Sequence, residues 1–319
     1  MTHKKSIGID IGGTKICGAL IVEGGNILKS VKVDTPQGEA SDTAHVVSGV
    51  IKEIISNDVV GIGLGVPGWV DHEKGTIYNT PNLSLSGFDL RGAIHDKFNL
   101  PVFIDNDANL AVLAEHSFGM AKDYKNVIGL TVGTGIGGGI ILNGKVYRGV
   151  TGTGAEIGHM VVQPNGPKCG CGSSGCLDVM ASGTGLIRAA KERINKGKES
   201  QILKLANGNI ENIQGPMITK AAENGDKLAK ECFDEVGFWL GIGINNLINI
   251  CNPEMIILGG GVAGTGDLIM DPVRKVILER TISPNKDVCK IVISKLGNEA
   301  GMLGAGALVF ESSKVSHNN

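Results

Sequence analysis

Two stretches of this chain repeat one another at an offset of 121 residues, and the repeat constrains the fold more than any other feature. Residues 7–21 read IGIDIGGTKICGALI, and residues 128–142 read IGLTVGTGIGGGIIL. Each stretch predicts a strand, a glycine turn and a second strand. Two such hairpins one domain length apart indicate an internal duplication, although two unrelated glycine-rich hairpins would look the same. The aligned positions that are identical are Ile7 with Ile128, Gly8 with Gly129, Gly12 with Gly133 and Gly18 with Gly139.

The remaining pattern alternates strands with helices, which predicts α/β layers. Helical spacing of apolar residues covers 43–56, 108–119, 183–195, 216–251 and 299–311, and strands are predicted over 60–70, 100–107 and 255–263. At 319 residues the chain is long enough for two domains. The duplication places the boundary near residue 118. We expect one domain of residues 1–118 with the C-terminal helix, about 299–313, and a larger domain of residues 119–298.

Composition excludes two classes of partner. The net charge is −2, aromatic residues make up 4% and there is no basic block, so nucleic-acid binding has no electrostatic or stacking basis. The longest nearly apolar run, residues 128–142, is too short and too rich in glycine to span a bilayer. The basic N-terminus meets Asp10 before a signal-peptide core can form, so we expect a cytoplasmic protein whose seven cysteines stay reduced.

The DIGGTK stretch at residues 10–15 is a candidate phosphate site. A strand delivers Asp10, and the turn then presents backbone N–H groups beside Thr14 and Lys15. This arrangement suits an anion with a carboxylate placed for Mg²⁺, and the alternative is a hairpin turn with a charged tip. Two further glycine turns, at 131–139 and 258–263, follow strands as well. Three such turns suit a nucleotide held in a cleft between two domains.

The IDNDAN stretch at residues 104–109 places two aspartates where a strand becomes a helix. A carboxylate at this point can accept a proton from a substrate hydroxyl. The alternative is helix capping by Asn106 or Asp107. Only one of Asp105 and Asp107 needs to be catalytic, because its neighbour can supply the cap.

Residues 154–178, GAEIGHMVVQPNGPKCGCGSSGCLD, concentrate one histidine and three cysteines among glycines and prolines. Cysteines in a Cys-x-Cys pair rarely bond to each other, and the thioredoxin-like Cys-x-x-Cys pattern is absent. Four nitrogen and sulfur ligands saturate tetrahedral Zn²⁺, so a zinc here would be structural. Reduced cysteines without a metal remain the alternative. The candidate ligands are His159, Cys169, Cys171 and Cys176.

Together these motifs resemble the ROK family of bacterial sugar kinases and repressors. The resemblance covers essentially the whole chain in order, and its most specific block is GAEIGH followed by CxCGxxGC. It also includes IDIGGTK, GVPG at 65–68, TPNL at 80–83, DNDAN at 105–109, GTGIGGG at 133–139 and the late ILGGG turn. The family has the actin-like ATPase fold, in which two ribonuclease-H-like domains flank a cleft.

The resemblance implies a hexose kinase that uses ATP and Mg²⁺, with glucokinase the nearest activity. The γ-phosphate would pass to the 6-hydroxyl of glucose. Alternatives are another hexose acceptor (N-acetylmannosamine, N-acetylglucosamine, mannose or fructose) or a non-catalytic sugar-responsive regulator. A repressor of this family carries an N-terminal winged helix, whereas the first strand here starts by Ser6, so we expect a kinase. Relatives are usually homodimers, and we expect a homodimer or homotetramer.

The resemblance also implies roles for individual residues. Asp107 would be the general base, and the sugar hydroxyls would be bound by Asn82, Asn106, Glu156, His159 and Asp178. Many relatives carry glutamate where this chain has Asp178, so the shorter side chain puts the sugar preference in doubt. His159 would use one nitrogen for zinc and the other for the sugar. Phosphates, metal and nucleoside would be held by Asp10, Gly12, Gly13, Thr14, Lys15, Thr134, Gly135, Gly260 and Gly261.

Overall fold

The computed structural model describes residues 4–81 and 83–315, and its architecture is α/β, as the sequence predicts. The strands are β1 (Lys5–Ile11), β2 (Lys15–Val22), β3 (Ile27–Asp34), β4 (Val59–Val66), β5 (Trp69–Asp71), β6 (Thr76–Asn79), β7 (Val102–Asn106), β8 (Val127–Val132), β9 (Ile136–Leu142), β10 (Lys145–Val146), β11 (Met255–Gly259) and β12 (Lys290–Ile293). The helices are α1 (Ala40–Ile54), α2 (Leu90–Phe98), α3 (Asp107–Ser117), α4 (Leu177–Ala181), α5 (Gly183–Asn195), α6 (Gln201–Leu205), α7 (Gly215–Glu223), α8 (Lys227–Cys251), α9 (Asp267–Arg280), α10 (Asn285–Val288) and α11 (Ala300–Val315).

Two five-stranded sheets share one strand order. The first runs β3-β2-β1-β4-β7 and the second β10-β9-β8-β11-β12. The repeated sequence stretches form β1 with β2 and β8 with β9, which occupy equivalent places in the two sheets. In the first sheet β1 pairs antiparallel with β2 and parallel with β4, and β4 pairs parallel with β7. The strand order confirms that the sequence repeat marks a repeated structural unit.

The chain divides into two compact units. Unit 1 comprises Met1–Gly129, Gly139–Ala155 and Ser294–Asn319, and unit 2 comprises Leu130–Gly138 and Glu156–Ile293. The last helix, α11, thus belongs to unit 1, with the first sheet. The boundary expected from the sequence, at residue 118, stays a prediction of where the two domains separate.

In unit 1, α11 lies directly on the first sheet because glycines leave room for its backbone. A Cβ on Gly8 of β1 would lie 2.0 Å from the Met302 carbonyl oxygen, and one on Gly63 of β4 would lie 1.9 Å from that of Ala305. No side chain fits at these distances, so alanine at either glycine would push the helix off the sheet. On the other face, isoleucines and valines of β1, β4 and α1 form a buried apolar core.

Unit 2 is organised around α8, which is 25 residues long. The Asp226 carboxylate caps this helix by accepting from the Ala229 N–H at 2.9 Å. Gly237 and Gly241 face α9 so closely that their Cβ atoms would lie 2.3 Å from Pro272 and 2.7 Å from Val276. The backbone of α8 therefore lies directly against side chains of α9, so the two helices pack closely together.

Most predicted helices and strands are present, with boundary shifts that have local causes. The helical region 216–251 divides into α7 and α8 because Gly225 takes a positive φ of 86° between them. The strand predicted over 60–70 ends at Val66, where Pro67 and Gly68 turn the chain. The sequence patterns did not predict β3, the β5–β6 hairpin or α9. Within the ranges the structure describes, none of the helices has both the length and the apolar character needed to cross a bilayer.

Candidate active site

The turn between β7 and α3 places the helix cap on Asn106. Asn106 is the N-cap: its Oδ1 accepts from the N–H groups of Ala108 at 2.9 Å and Asn109 at 3.1 Å, and its Nδ2 donates to the Gly68 carbonyl at 2.8 Å. Asp107 is half-buried at the first position of α3, where the helix N-terminus stabilises negative charge. Asp107 Oδ1 also accepts from the Ala108 N–H, at 2.8 Å, so its carboxylate contacts the helix start beside the Asn106 cap.

The neighbouring aspartate, Asp105, is fully buried and has a different environment. Its Oδ2 accepts from Arg148 Nε at 2.8 Å and lies 2.7 Å from Arg148 Nη2. Its Oδ1 accepts from the Asn106 N–H at 2.8 Å and from Asn109 Nδ2 at 3.1 Å. A carboxylate that accepts three hydrogen bonds and also pairs with the guanidinium charge is a structural group, which leaves Asp107 as the candidate for proton transfer. The sequence analysis missed Arg148, which lies 43 residues from Asp105.

The DIGGTK turn forms the predicted hairpin between β1 and β2. The Gly12 N–H donates to the Lys15 carbonyl at 2.9 Å, and Thr35 ties the turn down by donating through Oγ1 to the Gly12 carbonyl at 2.7 Å. Gly13 is half-buried, and Thr14 lies on the surface. The Lys15 ammonium pairs with the Asp34 carboxylate, which stands opposite it in the β2–β3 ladder. The turn at the end of β1 therefore carries a charged pair, and two hydrogen bonds hold its backbone.

Asp10 precedes this turn and faces the interior of unit 1. It stands level with Gly65 of β4 in the first sheet, and a Cβ on Gly301 at the start of α11 would lie 2.5 Å from its carboxylate. Burial between these elements raises the pKa of Asp10 to about 6 from its usual 3.8. A carboxylate kept this dry binds a proton or a cation more readily than an exposed one would.

In unit 2 the structure brings the other two glycine turns to one end of β8. Gly260 has a positive φ of 90°, and a Cβ there would lie 2.5 Å from the Val132 carbonyl oxygen. The turn after Val132 is held by α5, because Thr184 Oγ1 donates to the Thr134 carbonyl at 2.8 Å. The four predicted nucleotide-binding residues of unit 2 are thus neighbours in space: Thr134, Gly135, Gly260 and Gly261.

Asp178 lies beside the same turn, in the first turn of α4. Its Oδ1 accepts from the Ile136 N–H at 2.6 Å, and a Cβ on Gly135 would lie 2.6 Å from that oxygen. One carboxylate oxygen of Asp178 is therefore committed to the β8–β9 turn. The sequence analysis assigned Asp178 to the sugar and did not foresee this bond.

His159, Cys169, Cys171 and Cys176 converge on one point of unit 2. Their ligand atoms all lie within 4.8 Å of one another. The Cys169 Sγ lies 3.7 Å from His159 Nδ1, and the Cys171 Sγ lies 3.7 Å from the Cys176 Sγ. A tetrahedral zinc with Zn–S bonds of about 2.3 Å has sulfur–sulfur edges of about 3.8 Å. The donor set and its spacing therefore fit a four-coordinate zinc.

The backbone holds this cluster together without help from a disulfide. Gly175 takes a positive φ of 66°, and a Cβ there would lie 1.6 Å from the Gln163 carbonyl oxygen. Its own carbonyl accepts from the N–H of Val162 at 2.9 Å. The seven cysteines, all within the described ranges, are thiols. Burial and the neighbouring thiols raise the pKa of Cys176 to about 12, so a cation would be needed to ionise all three cluster thiols.

The His159 ring points its two nitrogens in different directions. Nδ1 faces the cysteines, whereas Nε2 lies 3.9 Å from Glu156 Oε2. Both side chains are partly exposed, at 36% and 40%. The short turn that carries His159 rests on β9, since a Cβ on Gly158 would lie 2.1 Å from the Ile136 carbonyl oxygen. His159 therefore turns one nitrogen toward the cysteines and the other toward Glu156. Asn82, the remaining predicted sugar ligand, lies outside the described residues.

Residues 6–312 match the model of the ROK family. The chain belongs to the ROK family. It is 38% identical to a glucokinase of Streptomyces coelicolor over 97% of this chain and 99% of that enzyme. It is also 32% identical to a xylose repressor of Bacillus spizizenii over 96% of this chain and 77% of the repressor. The family predicted from the sequence is therefore confirmed, and it contains both enzymes and regulators.

The solved structures agree with this family. A ROK family glucokinase from Streptomyces griseus, crystallised with glucose and AMPPNP, superposes with a TM-score of 0.84 at 37% identity, over 96% of this chain and 99% of that one. The fold is the actin-like ATPase fold, as the resemblance implied.

Asp10→Asn is expected to stabilise the folded protein at neutral pH. The folded protein binds the Asp10 proton more tightly than the unfolded chain does, so the stabilisation from this group is complete below pH 4 and lost as pH rises through 6. Removing the charge should raise the free energy of unfolding at pH 7.5 by about 2–3 kcal/mol, with the difference vanishing near pH 4. Denaturant unfolding across this range measures it, and a difference independent of pH would contradict the burial of Asp10.

Proposed function

We propose that this protein is a glucokinase that transfers the γ-phosphate of ATP, in the presence of Mg²⁺, to the 6-hydroxyl of glucose. The observation that carries the proposal is similarity to glucokinases along nearly the whole chain, at 35–38% identity for the enzymes of Streptomyces coelicolor and Thermotoga maritima. The DNDAN turn at 105–109 and the DIGGTK turn at 10–15 also support the proposal. Sugar binding alone would require neither a proton acceptor nor a phosphate site.

In the proposed reaction Asp107 accepts the proton of the sugar hydroxyl. The hydroxyl oxygen forms a bond to the γ-phosphorus while the bond from that phosphorus to the ADP oxygen breaks, and the proton moves to the Asp107 carboxylate. Asp107 lies in the first turn of α3, where the backbone N–H groups of the helix start interact favourably with a carboxylate. Asp105 is not the residue proposed to contact the sugar hydroxyl, because its oxygens already accept from Arg148, Asn106 and Asn109.

The phosphates would be bound mainly by backbone N–H groups. The turn at Gly12, Gly13 and Thr14 follows β1, with Lys15 beside it, and the turns at Thr134–Gly135 and Gly260–Gly261 follow β8 and β11. Such amides oppose negative charge without reorganising during the reaction. Mg²⁺ would supply charge neutralisation on the phosphate oxygens, and the buried Asp10 would be the carboxylate that holds it.

The family resemblance leads us to propose that the sugar would be recognised by Asn82, Asn106, Glu156, His159 and Asp178. With zinc bound, His159 would use Nδ1, which lies 3.7 Å from the Cys169 Sγ, as the ligand nitrogen, and Nε2, which lies 3.9 Å from Glu156 Oε2, would be left for the sugar. Asn106 keeps one amide N–H beyond its bond to Gly68, and Asp178 keeps the oxygen that does not bind Ile136. The residues therefore retain hydrogen-bonding capacity for hydroxyl groups.

We also propose a structural zinc on His159, Cys169, Cys171 and Cys176. Zinc would supply only the charge that lets the thiols ionise and the rigidity that holds the His159 ring.

Beyond the site, the family resemblance leads us to propose a cytoplasmic homodimer or homotetramer. A different hexose acceptor is the second candidate function, favoured by Asp178 where relatives carry the longer glutamate. Rates of ADP release with glucose, mannose, fructose, N-acetylmannosamine and N-acetylglucosamine separate these candidates.

Asp107→Asn should abolish phosphoryl transfer while sparing sugar binding. The amide cannot accept the proton, so kcat should fall by roughly 10²–10⁴-fold, with the glucose Kd changed by less than about tenfold. Coupled ADP release and calorimetric glucose titration give the two quantities. Asp96→Asn, on the exposed face of α2, is the matched control and should keep both values. A kcat near that of the parent in Asp107→Asn would refute the general-base role.

Cys176→Ser should release the zinc and weaken catalysis. The parent protein, purified without chelator, should carry one zinc per chain, and the variant should carry less than a tenth of that. Because the His159 ring loses its support, kcat/KM for glucose should fall by about 10–100-fold. Metal analysis and steady-state kinetics measure both effects. Cys251→Ser, a half-buried cysteine outside the cluster, is the control, and a parent protein without zinc would overturn the site.

A further inference from the structure

A buried ion pair lies directly behind the acidic turn and has no role in the chemistry proposed so far. Asp105 is fully buried, and the Arg148 guanidinium contacts its Oδ2 through two nitrogens, at 2.8 and 2.7 Å. His72 also lies beside the pair: its Nδ1 is 4.0 Å from Asp105 Oδ2 and forms a hydrogen bond with the Ile104 carbonyl at 3.0 Å. A buried carboxylate is tolerated only when it is paired in this way.

The position of Arg148 is fixed by contacts that lie outside the turn between β7 and α3. It follows β10, and its carbonyl accepts from the Gly154 N–H at 2.8 Å, which closes residues 148–154 into a short loop. That loop packs on β5, because Gly152, with a positive φ of 82°, would place a Cβ 2.7 Å from the Val70 carbonyl oxygen. The guanidinium therefore comes from a part of unit 1 fixed independently of β7 and α3.

Asp105 passes this restraint to the turn through its other oxygen. Oδ1 accepts from the Asn106 N–H and from Asn109 Nδ2, so it holds both the N-cap residue and the first turn of α3. Asp107 sits between these two residues in sequence. Movement of the Asp105 carboxylate would therefore shift the position and direction of the Asp107 side chain.

We propose that Arg148 is a positioning residue for phosphoryl transfer, which through Asp105 fixes the strand-to-helix turn that presents Asp107. The inference rests on the proposed function, since it assumes that Asp107 accepts the proton. Arg148 itself contacts Asp105 and the Val146 carbonyl, the latter at 3.4 Å. Its effect on the reaction is indirect.

An indirect role of this kind affects kcat more than substrate binding. Proton transfer requires Asp107 within hydrogen-bond reach of the acceptor hydroxyl, and a displacement of about 1 Å costs on the order of 10²-fold in rate. Binding of the sugar in the ground state is spread over several hydroxyl contacts and tolerates such a shift. Loss of the ion pair should therefore lower kcat and leave KM nearly unchanged.

The test is steady-state glucose phosphorylation by Arg148→Gln, Arg148→Lys, Asp105→Asn and the double variant Arg148→Gln/Asp105→Asn. We expect kcat of Arg148→Gln to fall by about 10–100-fold while KM for glucose and for ATP changes by less than about threefold. Arg148→Lys keeps the charge but not the two-nitrogen contact, so its kcat should lie between those of the parent and Arg148→Gln. The double variant should have a kcat within about threefold of Arg148→Gln, because both residues act through one contact.

Arg193→Gln is the matched control. Arg193 is as buried as Arg148, 22% against 20% exposed, and it pairs with Glu235 at 2.8 Å in unit 2. Its kcat should stay at the parent value, which shows that loss of a buried arginine pair alone does not slow the reaction. If Arg148→Gln does not fold, Arg148→Lys and Asp105→Asn carry the test.

Three outcomes would overturn the inference: a kcat of the Arg148 and Asp105 variants equal to that of the parent, a loss confined to KM, or additive losses in the double variant. Failure of the proposed function itself looks different. In that case the parent protein does not phosphorylate glucose or another hexose, or Asp107→Asn keeps its activity, whatever the Arg148 variants do.

Discussion

Burial of one carboxylate at the end of β7 is the constraint on which the candidate site depends. Asp105 is completely enclosed, and its two oxygens join an arginine from a distant loop to the N-cap of α3. Because an unpaired buried charge is unstable, this contact fixes the chain direction where the sheet gives way to the helix. The adjacent Asp107 is then presented by a rigid turn. Asn106 caps α3, and Asp107 Oδ1 accepts from the Ala108 N–H at 2.8 Å, so both side chains lie at the start of this helix.

The duplicated hairpins show how one structural unit has taken two roles. Both form a strand, a glycine turn and a strand at the same place in their sheets. The first carries Asp10, whose burial raises its pKa to about 6, and the second has Thr131 at the aligned position. One turn thus supplies a carboxylate suited to a cation, and the other supplies neutral amides beside Thr134. In the proposed function the first turn would serve the metal and the second the phosphates, which have opposite charges.

The sequence predicted those parts of the site that depend on neighbours along the chain. Glycine turns, the N-cap at Asn106 and the spacing of Cys169, Cys171 and Cys176 are local patterns with local causes, and the structure contains each of them. Contacts between distant segments were not predictable in the same way. No periodicity pairs Arg148 with Asp105 or commits Asp178 to the Ile136 N–H, because those bonds depend on how loops pack.

The central claim is phosphorylation of glucose at its 6-hydroxyl, and phosphorus NMR of the reaction tests it most directly. Protein mixed with Mg²⁺, ATP and glucose should convert the γ-phosphate signal into that of glucose 6-phosphate, with one ADP formed for each phosphosugar. Omitting glucose should leave ATP unchanged, because water is a poor acceptor when the sugar positions the reaction. A spectrum without a phosphosugar, phosphate on another hydroxyl, or ADP formed equally without glucose would contradict the account.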